Sequence, residues 1–396
     1  MQTFNTFLEN KPLYYKEIDH ERIDIAYRVL QPHIGQPRTV HIVGTNGKGS
    51  TGRMVVHLAH KSGLCVGHYT SPHILKFNER IWLDGKDTSD EILEVAHKRL
   101  FKILGKEISE ALSYFEYTTL LAFVVFEKCD LMVLEAGLGG EFDATNVCDK
   151  ELSIITPIGI DHQAFLGDSI EEIAGTKIRS IQKQVLLSPQ VFDEVVVVAK
   201  EIADEKGAKL FTVGSIQSTD DNMQLRVNFI DPTLVTIAKN KGWADYLISN
   251  ATVALKALDI LDINYDINDL KTLELFGRFY ALTDNIRIDV GHNSLAASAI
   301  EKALDEKVVL IYNSLDDKDY EEVLRILKPK VKCVEIIAID SQRATTLEEI
   351  EKALKKVGLE YSTFENTIDK DEYYLVFGSF YVVEEFLKKM EINVPK

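Results

Sequence analysis

An apolar run that breaks into a glycine-rich turn constrains this chain more than any other feature. Residues 39–50 read TVHIVGTNGKGS, and apolar side chains recur at helical spacing through residues 51–62. This pattern predicts a strand, a tight turn and a helix that ends near Gly63. Glycines in such a turn let consecutive backbone N–H groups converge on an anion, and the helix N-terminus adds partial positive charge.

The turn is typical of a phosphate-binding loop. Lys48 supplies a point charge for β- and γ-phosphates, and a neighbouring hydroxyl can reach Mg²⁺. The usual pattern is G-x-x-x-x-G-K-[ST], but here Ile42 stands five residues before Gly47, and Gly49 separates Lys48 from Ser50. Many glycine-rich turns with a lysine are ordinary surface turns. The flanking strand and helix favour the phosphate-loop interpretation, which implies ATP.

Composition narrows the class of protein. A chain of 396 residues with 45% apolar residues is typical of a globular protein of two or three domains. The longest apolar run, residues 120–126, is too short to span a bilayer, and the N-terminus lacks the pattern of a secretory signal, so we expect a cytoplasmic protein without a membrane segment. The four cysteines lack metal-like spacing and are expected to be free thiols in a reducing compartment.

The net charge of −17 argues against nucleic-acid binding, which needs clustered excess lysine and arginine. It also repels anionic substrates. Local cations, backbone N–H groups and metal ions must therefore bind any phosphate or carboxylate ligand.

Apolar strands alternate with amphipathic helices along most of the chain, which predicts an α/β fold with a mostly parallel sheet flanked by helices. In the first part we expect strands at 39–43, 131–134, 152–156, 185–187 and 195–199, and helices at 51–62, 89–104, 115–128 and 169–182. Residues 208–237 differ, because MQLRVNFI (223–230) alternates and TLVTIA (from residue 233) follows it, and this pattern predicts a small antiparallel patch. From about residue 283, repeated βα units predict a smaller Rossmann-like domain.

Polar residues that follow apolar strands are candidate site residues. Glu135 ends one such strand and precedes three glycines, so it could hold Mg²⁺; the alternative is a turn cap or a lysine partner. His162 follows another strand and is either a metal ligand or an ordinary structural histidine. Lys177 ends a helical stretch, where a surface lysine is the simpler interpretation. Near a metal, a lysine more readily loses its proton and could react with CO₂ to give a carbamate.

These pieces together resemble the folylpolyglutamate synthase/dihydrofolate synthase family of the Mur ligase superfamily. The ordered set of motifs covers most of the chain. It comprises GTNGKGS (44–50), TSPH (70–73), FEYTTLLAF (115–123), EAGLGG (135–140), DATNV (143–147), DH (161–162), IAGTK (173–177), NATVAL (250–255), GR (277–278), DVGHN (289–293) and FGSFYVVEE (377–385).

The resemblance implies roles for individual residues. ATP would be held by Asn46, Gly47, Lys48, Gly49, Ser50, Asn250, Arg278 and Asp289; Mg²⁺ by Ser71, Glu135, His162 and a carbamylated Lys177; and the pterin substrate by Ser113, Tyr114, Phe115, Glu116, Phe142, Asp143 and Ala144. His292 would lie beside the reaction centre, so that Lys48, Lys177 and His292 form the catalytic set. The implied domains are 1–282, which binds ATP and pterin, and 283–396, which closes over the active site.

Some positions depart from the family pattern. Glu141 stands where the family usually has arginine after GLGG, and Ile178-Arg179 follow Lys177 where alanine and glycine are usual. Residues 17–20 lack the Gly-Leu pair of the pteroate loop, and Val290 and Ser294 replace common alanine and proline.

The resemblance implies an ATP-dependent ligase that joins L-glutamate to the carboxylate of dihydropteroate, folate or both through an acyl phosphate. We expect a monomer. A Mur-type peptide ligase is the nearest alternative, but the loop begins at Gly44, and about 40 residues cannot build the UDP-sugar domain of those enzymes. A nucleotide-binding regulatory protein that has lost ligase chemistry is the other alternative.

Overall fold

The structure is a computed structural model that describes residues 2–12, 21–219, 222–226 and 230–392. Its helices are α1 (Phe4–Glu9), α2 (Glu21–Leu30), α3 (Lys48–Lys61), α4 (Asp90–Ala111), α5 (Tyr114–Phe126), α6 (Gln163–Leu166), α7 (Ile170–Ile178), α8 (Asp193–Lys206), α9 (Pro232–Lys241), α10 (Asp245–Ile260), α11 (Ser294–Ala303), α12 (Tyr320–Leu327), α13 (Leu347–Val357) and α14 (Phe380–Lys389).

Its strands are β1 (Arg38–Val43), β2 (Val66–Tyr69), β3 (Ile81–Leu83), β4 (Lys86–Asp87), β5 (Leu131–Glu135), β6 (Leu152–Ile155), β7 (Gln184–Leu187), β8 (Lys209–Thr212), β9 (Ser215–Thr219), β10 (Asn222–Arg226), β11 (Tyr280–Ala281), β12 (Ile286–Ile288), β13 (Val308–Tyr312), β14 (Val331–Ile336), β15 (Tyr361–Thr363) and β16 (Tyr374–Phe377).

The chain divides into two compact units. Unit 1 comprises residues 1–158, 169–231 and 250–273, and unit 2 comprises residues 159–168, 232–249 and 274–396. The domain boundary predicted at 282/283 stays a prediction. The departure at residues 17–20 lies outside the described residues.

Unit 1 is built on an eight-stranded sheet in the order β4-β3-β2-β5-β1-β6-β7-β8. The strands from β2 to β8 in this order run parallel, whereas β3 and β4 add an antiparallel edge. The central strand β1 pairs with both β5 and β6, and Ile42 lies opposite Glu135 and Ile154. Every residue of β1 after Arg38 is buried, because helices cover both faces of a parallel sheet. The predicted α/β architecture is confirmed.

A large apolar core lies under α1, α2, α4 and α5 in unit 1. Leu30, Tyr117 and Phe126 are fully buried there, and each such side chain contributes about 1.5–3 kcal/mol relative to an exposed one. Gly67 in β2 makes room for this packing, since a Cβ at that position would lie 2.3 Å from the Phe126 ring. The core therefore packs against the part of the sheet that contains β2 and β5.

Two predicted strands are wrong. Residues 195–199, expected as a strand because of four consecutive valines, lie in α8. Acidic residues open this helix, Gly207 closes it in a left-handed conformation, and burial follows a helical period from Val195 through Ala203. Residues 233–238 lie in α9, which Pro232 opens. The antiparallel patch is confirmed only for β9 and β10, because helical periodicity outweighed β-branched composition elsewhere.

Unit 2 contains a six-stranded sheet in the order β11-β12-β16-β13-β14-β15. All neighbours are parallel except β11, which pairs antiparallel with β12. The helices α11 to α14 each bury one apolar stripe, and Leu310, Val334 and Leu375 lie in the core beneath them. The repeated βα units read from the sequence are therefore confirmed. Within the described part of the chain, no helix has the length and apolar character needed to cross a membrane.

Candidate active site

The glycine-rich turn joins β1 to α3 in unit 1, as predicted. Gly44 has φ 149° and Gly47 has φ 85°, a region that favours glycine. A Cβ on Gly44 would lie 2.0 Å from Thr156 Oγ1, and a Cβ on Gly47 would lie 2.9 Å from Asn250 Oδ1. Both positions therefore require glycine for backbone conformation and for space.

The turn leaves a set of backbone donors at the start of α3. The N–H groups of Thr45 and Asn46 donate to the carbonyl oxygen of Pro157, at 2.9 and 3.1 Å. The first intrahelical bond runs from Thr51 N to Gly47 O, so the amides of residues 47–50 are those that the helix leaves for a ligand. Residues 47–50 are therefore the candidate anion-binding amides, whereas the backbone amide of Asn46 donates within the protein.

Side chains of the loop are held close to it. The Nζ of Lys48 donates to the carbonyl oxygens of Gly44 and Thr45, at 3.2 and 3.1 Å. Ser50 is buried, and its Oγ accepts a 2.8 Å hydrogen bond from Asn250 Nδ2. Asn250, predicted to approach the nucleotide, thus contacts the phosphate loop directly.

Lys177 lies against the same loop. It is only 4% exposed, and its Nζ donates to Gly44 O at 3.1 Å. The interpretation of Lys177 as a surface lysine is therefore wrong. The fold brings this amine, from the last turn of α7, to the carboxyl end of β1, where Lys177 and Lys48 both donate to Gly44 O.

Glu135 ends β5 beside the loop. It is 5% exposed and lies opposite Ile42 in β1, two residues before Gly44. Its Oε2 accepts a hydrogen bond from Thr70 Oγ1 and a long one, 3.4 Å, from Ser71 N. Because β2 and β5 are parallel neighbours, their carboxyl ends meet, which brings Ser71 to Glu135. The carboxylate of Glu135 and the hydroxyl of Ser71, at the carboxyl ends of these strands, are oxygen ligands of the type that Mg²⁺ prefers.

The glycine-rich segment after Glu135 is organised by Asp143. This buried carboxylate accepts hydrogen bonds from the N–H groups of Gly137, Leu138 and Thr145, at 3.0, 2.9 and 2.9 Å, and from Thr145 Oγ1 at 2.5 Å. Burial raises the pKa of Asp143, and these donors oppose that rise. Asp143 therefore holds the backbone of the segment in place through these hydrogen bonds, and the next residue, Ala144, is buried.

Among the other predicted pterin residues, two polar ones cap α5 and two aromatic ones lie at the glycine-rich segment. Ser113 and Glu116 form a capping box at the start of α5, and Glu116 also pairs in bidentate fashion with Arg22 at 3.0 Å. Phe115 packs on Gly137, where a Cβ would lie 2.6 Å from its ring. Phe142 is 58% exposed, which leaves an apolar surface open at this segment.

Unit 2 contains a second cluster of polar side chains around Asp161. Its carboxylate accepts hydrogen bonds from Lys318 Nζ at 2.6 Å and from Asn293 Nδ2 at 3.1 Å. His292 Nε2 and His162 Nε2 lie 3.7 and 3.9 Å from it. Burial opposes ionisation of Asp161, but His292, His162 and Lys318 outweigh it and hold the pKa well below its usual value. The two predicted histidines are thus gathered around one anionic residue.

Asp289 anchors the turn that follows β12 in unit 2. It is buried and accepts hydrogen bonds from Tyr246 Oη, Phe279 N and Gly291 N, at 2.8, 2.8 and 2.7 Å. Burial raises its pKa, while Arg278 opposes the rise. The guanidinium of Arg278 lies 5.2 Å from the Phe380 ring centre. Among the residues that the structure describes, no group of three or more His, Cys, Asp or Glu side chains has the geometry of a metal site.

Comparison with known proteins assigns the family. No known family profile matches the sequence. The dihydrofolate synthase/folylpolyglutamate synthase of Buchnera aphidicola subsp. Schizaphis graminum is 31% identical over 368 residues, which cover 87% of this chain and 86% of that protein. The chain belongs to the dihydrofolate synthase/folylpolyglutamate synthase family. The protein of the same name from Haemophilus influenzae is 29% identical over 423 residues, covering 94% and 91% of the two chains.

Solved structures agree with this family and with the fold. Helicobacter pylori folylpolyglutamate synthetase superposes with a TM-score of 0.77 and 39% identity over 98% of both chains. Escherichia coli FolC in complex with DHPP and ADP superposes with a TM-score of 0.80 and 26% identity, again over 98% of both chains. The resemblance read from the ordered motifs is confirmed.

Two departures from the synthase pattern pair with each other. Arg179 Nε donates to Glu141 Oε2 at 2.5 Å, and Glu141 N donates to Thr176 O at 2.9 Å. Glu141 follows the glycine-rich segment and Arg179 follows α7, so the two unusual residues form one ion pair. Because both side chains are partly exposed, the pair contributes little stability and chiefly sets the local charge.

Sequence reasoning missed three members of this synthase's polar clusters, namely Asp161, Lys318 and Thr70. Lys318 is almost fully buried and pairs with Asp161, although neither received a role. The signal was present, since Lys318 belongs to a charged run, residues 316–319, that comes a few residues after the apolar strand β13. Thr70, which donates to Glu135, belongs to the TSPH motif, but the sequence alone assigned it no role.

Proposed function

We propose that this chain is an ATP-dependent ligase that joins L-glutamate to the carboxylate of dihydropteroate, of a folate, or of both, through an acyl-phosphate intermediate. One observation carries the proposal: the amides of residues 47–50, the ammonium of Lys48 and the carboxylate of Glu135 belong to adjacent strand ends of unit 1. Such a set holds a triphosphate and its cation, and the family supplies the acceptor class.

The chemistry explains why a nucleotide is required. A carboxylate is a poor electrophile, so its oxygen first attacks the γ-phosphorus of ATP and ADP leaves. The α-amine of L-glutamate then attacks the acyl carbon, and phosphate departs as the amide forms. Two anions must approach each other in the first step, and Lys48 with the amides of residues 47–50 would offset that repulsion.

Mg²⁺ suits the donors at the β2 and β5 ends. Glu135 and the hydroxyl of Ser71 would hold it, and the bound ion would neutralise charge on the transferring phosphoryl group. We carry over His162 and a carbamylated Lys177 as further ligands from the resemblance. A carbamate would turn the buried amine of Lys177 into an oxygen ligand of negative charge.

We also carry over the substrate roles. The exposed Phe142 and the braced segment at Asp143 would receive the pterin, together with residues 113–116. Asn250 of α10, which donates to Ser50 of the phosphate loop, would contact the nucleotide. Asp289 and Arg278 are proposed nucleotide contacts of unit 2, and His292 a residue of the reaction centre. We further propose a cytoplasmic monomer.

A nucleotide-binding regulatory protein is the second candidate, because Glu141 and Arg179 alter charge beside the glycine-rich segment. The two functions differ in a simple assay. A ligase releases ADP only when a pterin acid and L-glutamate are both present, whereas a regulatory protein shows no release that depends on glutamate. Dihydropteroate and tetrahydrofolate, tested separately, then identify the acceptor.

The variant Lys48→Ala tests the site itself. We expect glutamate-dependent ADP release to disappear while the midpoint of thermal unfolding stays nearly constant, because within the described part of the chain Lys48 Nζ donates only to the carbonyl oxygens of Gly44 and Thr45 in its own loop. Lys61→Ala, at the exposed end of the same helix, is the matched control and should keep full activity. Retained ADP release by Lys48→Ala would contradict the assignment.

A further inference from the structure

Two cysteines of unit 1 lie in contact at the amino ends of β2 and β5, whereas the phosphate loop follows the carboxyl end of β1. Cys65 immediately precedes β2, and Cys129 lies between α5 and β5. Their sulfur atoms are 3.7 Å apart, and the Cys65 thiol donates to Cys129 Sγ. Cys65 is partly exposed, whereas Cys129 is 8% exposed. One thiol of the pair is therefore open to a solute and the other is shielded.

The backbone on both sides of the pair is fixed. Cys65 N donates to the carboxylate of Asp130 at 2.9 Å, and Cys65 O accepts from Asp130 N at 2.8 Å. Cys129 N donates to Phe126 O at 2.8 Å. The two sulfur atoms must approach from 3.7 Å to about 2.05 Å to form a disulfide, and the backbone that carries them is already held by these hydrogen bonds.

We propose that Cys65 and Cys129 form a reversible disulfide when the protein meets a peroxide, and that this bond staples the start of β2 to the start of β5. The simpler interpretation is a pair of thiols that pack side by side. The contact between the two thiols favours the disulfide, because the oxidant can reach the partly exposed Cys65 and the buried Cys129 already lies beside it.

The reaction proceeds in two balanced steps. The Cys65 thiol reacts with hydrogen peroxide to give a sulfenic acid and one water, so that sulfur loses two electrons and the O–O bond takes them. Cys129 sulfur then attacks Cys65 sulfur, the S–O bond breaks, and its thiol proton leaves with the hydroxyl as a second water. A dithiol reductant reverses the process by exchange, becomes a cyclic disulfide and restores both thiols.

The staple acts on the unfolded chain more than on the native site. It closes the loop between residues 65 and 129, which removes conformations from the unfolded ensemble. It joins the amino ends of β2 and β5, whereas Ser71 and Glu135 follow or occupy their carboxyl ends. We therefore expect oxidation to raise the midpoint of thermal unfolding, by about 5 °C.

Peroxide treatment of the full chain followed by alkylation and peptide mapping tests the proposal. The expected product carries two alkylated cysteines in place of four, a mass loss of two hydrogens, and one peptide pair joined through Cys65 and Cys129. Reduction should restore all four thiols. Cys65→Ser and Cys129→Ser should each abolish the cross-link, whereas Cys333→Ser, at another partly exposed cysteine, should leave it unchanged.

The mapping of the unsubstituted protein decides the matter even where a variant folds poorly. Cys65 recovered as sulfinic acid with Cys129 still free would overturn the proposal, as would a cross-link that joins any other pair. A disulfide that forms without raising the unfolding midpoint would overturn the stapling role. None of these readouts depends on ligase activity.

Discussion

Replacement of a buried histidine should make the protein less sensitive to acid. His68 lies in β2, has no exposed surface, and neither ring nitrogen has a hydrogen-bond partner among the described residues. Burial, with a further effect of Arg53, lowers the pKa of His68 well below 6.5. The native protein thus keeps His68 neutral, while the unfolded chain binds a proton below about pH 6.5, so stability falls as the pH drops below that value.

The size of the effect follows from this difference. For a histidine that stays neutral in the native state and has a pKa near 6.5 when unfolded, acidification from pH 7 to pH 5 costs about 2 kcal/mol of unfolding free energy. His68→Leu removes this cost. At pH 7 the substitution should change stability by less than about 1.5 kcal/mol, because it replaces a side chain with two unpaired polar atoms by an apolar one of similar size.

Urea unfolding at pH 7 and pH 5 measures the difference. Trp82 lies opposite His68 on β3, and a Trp243→Phe background leaves Trp82 as the one tryptophan, so its fluorescence follows unit 1. His33→Leu, at an exposed position, is the control. The reasoning fails if His68→Leu loses as much unfolding free energy between the two pH values as the unsubstituted protein.

Three further outcomes follow from the site. Lys177→Ala should abolish ADP release, and full activity without added CO₂ would remove the proposed carbamate. Asp143→Ala should destabilise unit 1 by about 3 kcal/mol, measured by urea unfolding, because three backbone N–H groups and one hydroxyl lose a buried charged acceptor. Lys318→Met should leave the carboxylate of Asp161 without its 2.6 Å partner and so lower the unfolding midpoint of unit 2. Trp243 fluorescence in a Trp82→Phe background follows this transition, and an unchanged midpoint would contradict a stabilising role of the Lys318–Asp161 pair.

The sequence failed where two local signals disagreed. The valine run at 195–199 predicts a strand from residue type, yet burial at Val195, Val196 and Ala199 has the period of a helix. The segment forms a helix because its buried residues pack together on one face, and leaving Val197 exposed on the other face costs little free energy. The same conflict explains the helix at 232–241.

Sequence alone determined the strand, turn and helix of residues 39–62 and the order of the family motifs, because backbone freedom of glycine and apolar periodicity act over a few neighbouring residues. Tertiary structure decided which side chains that are distant in the sequence meet in pairs. Glu141 meets Arg179, Asp161 meets Lys318, and Cys65 meets Cys129, although each pair is separated by tens of residues or more along the chain. Such contacts depend on strand order and on which helix covers which strand, and a pattern confined to one segment carries no information about either.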